Sequence, residues 1–186
     1  MQDGVKEGKM RKDIILTFIF TLIQIALITI IKGFSYPLLL LFFMIAILSY
    51  ISIEDWKTGL ISIPLNVAVL IISGIFAFFN GVELKTVGIN LLFFVIPFIL
   101  LEAIFQLFIN KDDERFLVGG GDIILFATMS LILDTFNMCV MLFFSCLMSI
   151  VASKIIKKSM VHFAPFIQVG FLVAFLFGEY IKDFIF

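Results

Sequence analysis

Two aspartates, Asp55 and Asp122, are the residues of this chain best placed to do chemistry. Asp55 closes an apolar run in Glu54-Asp55-Trp56-Lys57, and Asp122 opens another directly after Gly119-Gly120-Gly121. Paired carboxyls held about 3 Å apart cannot both ionise, so one keeps a proton. The ionised member can then deprotonate a water while the protonated one polarises a scissile carbonyl, and the titration belongs to the pair. Each aspartate alone also has a plainer reading, Asp122 as a helix N-cap and Asp55 as interfacial charge. An N-cap does not need three glycines before it. Three residues without a Cβ let another backbone approach the carboxylate closely and free the local φ and ψ.

The elements that must position this pair follow from composition. Of the 186 residues, 62% are hydrophobic and 15% charged, whereas a soluble domain is roughly half apolar with about a quarter charged. Apolar runs cover 14–31, 37–53, 60–79, 87–109, 123–133, 137–153 and 163–181. In lipid each must satisfy its own backbone, so each is expected to be helical. Spans of about 20 residues use up almost the whole chain. With the N-terminus inside and seven spans, ten of the 13 lysines and arginines fall on the inner side, leaving Lys32, Lys85 and Lys182 outside. Fusing the fifth and sixth runs would move Lys154, Lys157 and Lys158 outside, against the positive-inside rule. The expected fold is therefore an all-α polytopic bundle of about seven spans in the plasma (inner) membrane, with the N-terminus cytoplasmic and no cleaved signal peptide.

In this topology Asp55 ends the second span and Asp122 begins the fifth on the same, cytoplasmic side, with one complete hairpin between them. Packing spans two and five together is expected to join the carboxylates. The fifth run is short, about 11 residues or roughly 16 Å, so its glycine-rich start is expected to be drawn toward the membrane plane.

Gly119-Gly120-Gly121-Asp122 fits the G-x-G-D signature of membrane aspartyl proteases, and its surroundings resemble the type IV prepilin peptidase family, which includes preflagellin peptidases. Asp55-Trp56-Lys57-Thr58-Gly59 followed by Ile63-Pro64-Leu65-Asn66 resembles the segment around that family's first aspartate. Ala164-Pro165-Phe166, then Gly170, resembles the entry to its last helix. The resemblance implies a peptidase that removes the short basic leader of pilin-like or flagellin-like precursors at the cytoplasmic face. Asp55 and Asp122 would be catalytic, with Gly119, Gly120 and Gly121 beside them expected to bind substrate; Glu102, an acid inside a span, is expected to bind the leader or tune the pair, unless it only snorkels or bonds between helices. No metal or cofactor is implied, nor N-methylation, since the chain has no C-x-x-C pair. It further divides the chain into a tail with an added helix, 1–36, and a catalytic membrane core, 37–186. Two departures stand out: Pro64 lies nine residues after Asp55 where the family more often has seven, and Ile124 stands where it usually has lysine.

Glu102 and Gln106 share a helix face in the inner half of the fourth run, and a carboxylate inside a span is a functional candidate by default. The lone His162 is expected to be an interfacial anchor. Cys139 and Cys146 are expected to be buried small apolar residues on one helix face. The run Lys111-Asp112-Asp113-Glu114-Arg115 is read as a solvated loop whose acids attract a basic leader through a field that salt screens. The net charge of −1 gives no basic patch for nucleic acid, so the expected partners are precursor proteins and membrane lipid. The competing reading is a small membrane transporter or non-enzymatic assembly factor. That reading would favour carboxylates near the bilayer midplane rather than at one face.

Overall fold

The computed structural model describes the backbone of residues 2–108, 119–157 and 161–186, with side chains from residue 14 onward. Among these residues every regular element is an α-helix: α1 (Gln2–Lys32), α2 (Tyr36–Thr58), α3 (Ile63–Phe79), α4 (Leu84–Phe94), α5 (Ile96–Phe108), α6 (Gly120–Ser130), α7 (Thr135–Ile156) and α8 (Ala164–Ile185).

Local chemistry sets the boundaries. Pro37, Pro64 and Pro165 stand in the first turns of α2, α3 and α8, where a missing N–H has no helical partner to lose. Inside the run Leu84–Phe108, Pro97 cannot donate to the carbonyl four residues back, and the helix is interrupted at Val95, dividing α4 from α5. Asp134 accepts the Asn137 N–H at 2.8 Å and so starts α7 as a new helix. The fifth and sixth apolar runs are thus two helices rather than one.

Among the described residues, five helical runs are long and apolar enough to cross a membrane: Ile14–Lys32, Tyr36–Thr58, Leu84–Phe108, Thr135–Ile156 and Ala164–Ile185. The other two, α3 and α6, are apolar but shorter, 17 and 11 residues. Large apolar side chains, among them Ile14, Phe18, Phe43, Ile99, Ile104 and Phe143, point outward from the bundle. Such a surface suits hydrocarbon rather than water, and the protein is a multi-pass membrane protein.

The core runs along α2 and α8, the most enclosed of the long helices. Leu41, Met44, Ile45, Leu48 and Ile51 of α2 belong to one core cluster with Leu125, Phe126 and Met129 of α6, Met138 and Met141 of α7, and Ile167 and Phe171 of α8. Cys139 and Cys146 do lie in α7 but are exposed, contrary to the expected burial. A helix with an apolar outer face can leave small hydrophobes there, because no protein need cover them in a bilayer.

How α6 manages at 11 residues is visible at its two ends. Asn66 of α3, fully buried, donates its amide to the Gly121 carbonyl at 2.9 Å. Asn90 of α4, also fully buried, donates to the carbonyls of Leu133 at 2.8 Å and Ser130 at 3.3 Å. The carbonyls of Ser130 and Leu133, past which the helix offers no N–H, thereby find a partner in α4, while the bond to Gly121 ties the first turn of α6 to α3.

Candidate active site

Asp55 occupies the last turn of α2 and is 5% exposed. The helix stops there because Gly59 takes the left-handed conformation, φ +69°, and returns its N–H to the Asp55 carbonyl at 2.8 Å. One carboxylate oxygen, Oδ2, accepts the N–H of Ala164, the first residue of α8, at 3.2 Å. That N–H belongs to the set every helix start leaves without an intrahelical acceptor. The other oxygen, Oδ1, stands 3.9 Å from Nδ1 of His162. The imidazole also lies over Gly59, where a Cβ would come within 2.6 Å of its Cε1. Gly59 therefore serves both the turn and the seat of His162. Beside it, Trp56 meets Phe166 edge to face, with ring centroids 6.1 Å apart.

His162 is thus a neighbour of Asp55, and it is exposed at the entry of α8. Its position two residues before Ala164-Pro165 put it at the inner entry of α8. What the sequence could not show is that this entry abuts the end of α2.

Asp122 sits in the first turn of α6, with Gly119 as the N-cap residue. Its N–H bonds the Gly119 carbonyl at 2.9 Å. Its Oδ1 is buried and has no hydrogen-bond partner. The charge of Asp55 acts on it electrostatically.

The route differs from the expected one. Spans two and five were expected to pack together, but α2 and α6 share no extended interface, because α3 packs against both. The connection from Gly59 to Ser62, made roomier by the longer spacing between Asp55 and Pro64, drops Ile61 onto the glycine turn. A Cβ at Gly121 would come 2.7 Å from that of Ile61. The three glycines consequently differ. Gly121 admits Ile61, Gly119 lies against Oδ2 of Asp122 at 3.2 Å from where a Cβ would stand, and the space beside Gly120 is open.

Glu102 is half-buried on α5 and accepts a hydrogen bond from Gln106 at 2.7 Å. Asn90 meets Ser130 and Leu133, and Phe98 stacks on Phe126 with centroids 5.0 Å apart. Helices α4–α5 and α6 therefore run antiparallel where these residues meet. The acidic run Lys111–Arg115 lies outside the described residues.

Reasoning from the sequence missed four contributors. The Ala164 N–H is a backbone group and leaves no trace in residue type. Asn66 was part of a quoted motif, but its partner, Gly121, is remote in the chain. Ser52 and Gln168, joined at 2.7 Å, sit in apolar runs without any pattern that marks them.

Among models of known protein families, that of the type IV leader peptidase family matches residues 42–153. The matched segment contains both Asp55 and Asp122 and leaves α1 and α8 outside it. No curated protein and no solved structure matches the chain. A match over more than half of the sequence, on a helical membrane bundle that carries Asp55 and Asp122 in the terminal turns of two helices, establishes the kinship: the chain belongs to the type IV leader peptidase family.

Proposed function

We propose that the protein is an aspartic-type endopeptidase in which Asp55 and Asp122 together activate water, and that it removes the short basic leader of pilin-like or flagellin-like precursors. The observation that carries this reading is the electrostatic influence of Asp55 on Asp122, an acid remote from it in the chain, with Asp55 buried and Oδ1 of Asp122 buried and unpartnered.

In the proposed reaction one carboxyl is ionised and its partner protonated. The ionised carboxylate takes a proton from water as the oxygen attacks the scissile carbonyl, and the protonated one donates a hydrogen bond to the developing oxyanion. Collapse of the tetrahedral adduct breaks the C–N bond, the leaving nitrogen takes a proton from the pair, and a carboxylic acid and an amine are released. The hydrogen bond from Ala164 holds Asp55 still, leaving Oδ1 and the unpartnered Oδ1 of Asp122 for water and substrate. Substrate main chain would cross the glycine turn at Gly119 and Gly120, over the open side of Gly120, with Gly121 contributing backbone beneath Ile61. Glu102, a carboxylate in the inner half of the fourth apolar run, would receive the basic leader.

Seven spans with the N-terminus inside, the arrangement the distribution of lysine and arginine favours, would put this end of the bundle at the cytoplasmic face of the plasma membrane. The absence of a C-x-x-C pair fits cleavage without N-methylation of the product. Co-expression with a precursor carrying a basic leader tests the reading. Asp55→Asn and Asp122→Asn should each lower leader removal by about 10²-fold or more; continued processing by either variant would sink the two-aspartate mechanism.

A further inference from the structure

Helices α1 and α8 lie outside the matched segment, yet both are wired to Asp55. Four buried polar side chains, none more than 4% exposed, meet between α1, α2 and α8: Gln24, Ser49, Ser52 and Gln168. The Gln168 amide nitrogen donates to Oε1 of Gln24 at 3.0 Å and to Oγ of Ser49 at 2.9 Å, and its oxygen accepts from Ser52 at 2.7 Å. Ser49 in turn donates to the Ile45 carbonyl at 2.8 Å. Both halves of the Gln168 amide are therefore engaged.

Position along the seam gives this cluster its meaning. Ser52 lies one turn before Asp55 on α2, and Gln168 one turn after Ala164 on α8. The Ser52–Gln168 bond and the Ala164–Asp55 bond are consecutive rungs between the same two helices. A slide of α8 against α2 would break both at once. In an apolar interior a broken rung leaves buried polar atoms unpaired, which disfavours the slide.

We infer that Gln168, held by Gln24 of α1, is a positioning residue for Asp55, fixing the register of α8 so that the Ala164 N–H meets the carboxylate. The inference rests on the peptidase reading for its catalytic consequence, but the register itself can be read without activity. Trp56, the single tryptophan of the chain, packs on Phe166 of α8 in the same seam, so its emission reports how the two helices lie.

The test compares the purified full-length chain with Gln168→Leu and with the Gln24→Leu/Gln168→Leu double variant. The measurements are Trp56 emission, thermal unfolding, and cleavage of a leader-bearing precursor across pH. Replacing both partners with apolar side chains should recover much of the stability that the single change loses. If Gln168 positions Asp55, Trp56 emission stays shifted in both variants, kcat stays about tenfold or more below wild type with KM within about twofold, and the pH profile moves. A double variant that recovers kcat together with stability would reduce the cluster to mere packing, and unchanged Trp56 emission in both variants would overturn the inference. An inactive wild type, or an active Asp55→Asn, would count against the peptidase reading instead, and Trp56 emission would still decide the register.

Discussion

Asn66 of α3 and Gly121 of α6, 55 positions apart, are joined by a 2.9 Å hydrogen bond from side-chain amide to backbone carbonyl. The bond fixes the residue directly before Asp122. Asn90 holds the far end of the same helix in the same manner. Replacing either asparagine with leucine removes these bonds between helices and should cost about 1–3 kcal/mol, measured by thermal unfolding in detergent. Only Asn66→Leu should also lower kcat, because only that end carries Asp122. Equal losses of kcat in the two variants would remove any special role for Asn66.

Gly121→Ala drives a methyl group to 2.7 Å from Cβ of Ile61. Overpacking of this kind costs about 1–3 kcal/mol and shifts backbone, so cleavage should fall along with stability. Trimming the opposing side chain, Gly121→Ala with Ile61→Ala, should restore part of both. Gly120→Ala, in open space, should leave the unfolding temperature near wild type and act on KM.

At Gly59 a side chain meets two obstacles, the left-handed φ of +69° and the His162 ring. The conformational part alone is roughly 1–2 kcal/mol for an ordinary residue. Gly59→Ala should therefore be destabilised beyond that figure, and adding His162→Ala should recover only the excess. Full recovery in the double variant would show that the turn is not strained by a Cβ.

The proposed mechanism requires one proton shared by Asp55 and Asp122, and this fixes the sign of the pH response. Below the first titration of the pair both carboxyls are protonated and no base remains; above the second both are ionised and no acid remains. Plots of kcat/KM against pH should be bell-shaped, with limbs that belong to the pair rather than to either residue. A profile flat across both limbs would contradict a two-carboxyl mechanism.

The sequence by itself determined that this is an all-helical membrane chain, where its apolar runs lie, and that Asp55 and Asp122 stand at ends of such runs. Those features are local. Hydropathy, proline at helix starts, the left-handed glycine at position 59 and the cap at Asp134 act within a few residues, so they can be read without knowing what lies opposite. The resemblance carried by the glycine turn and by the segment after Asp55 pointed to the family for the same reason. Tertiary structure alone decided which groups surround the aspartates. The α2–α3 connection, rather than packing of α2 on α6, bridges to the glycine turn; His162 comes to Asp55; and Gln168 finds Gln24 across the bundle. In an apolar interior almost every side chain obeys the same rule of burial or lipid contact, so a buried glutamine or asparagine carries no mark of its partner. Its hydrogen bonds are set by helix register, a property of the assembled bundle and of no single segment.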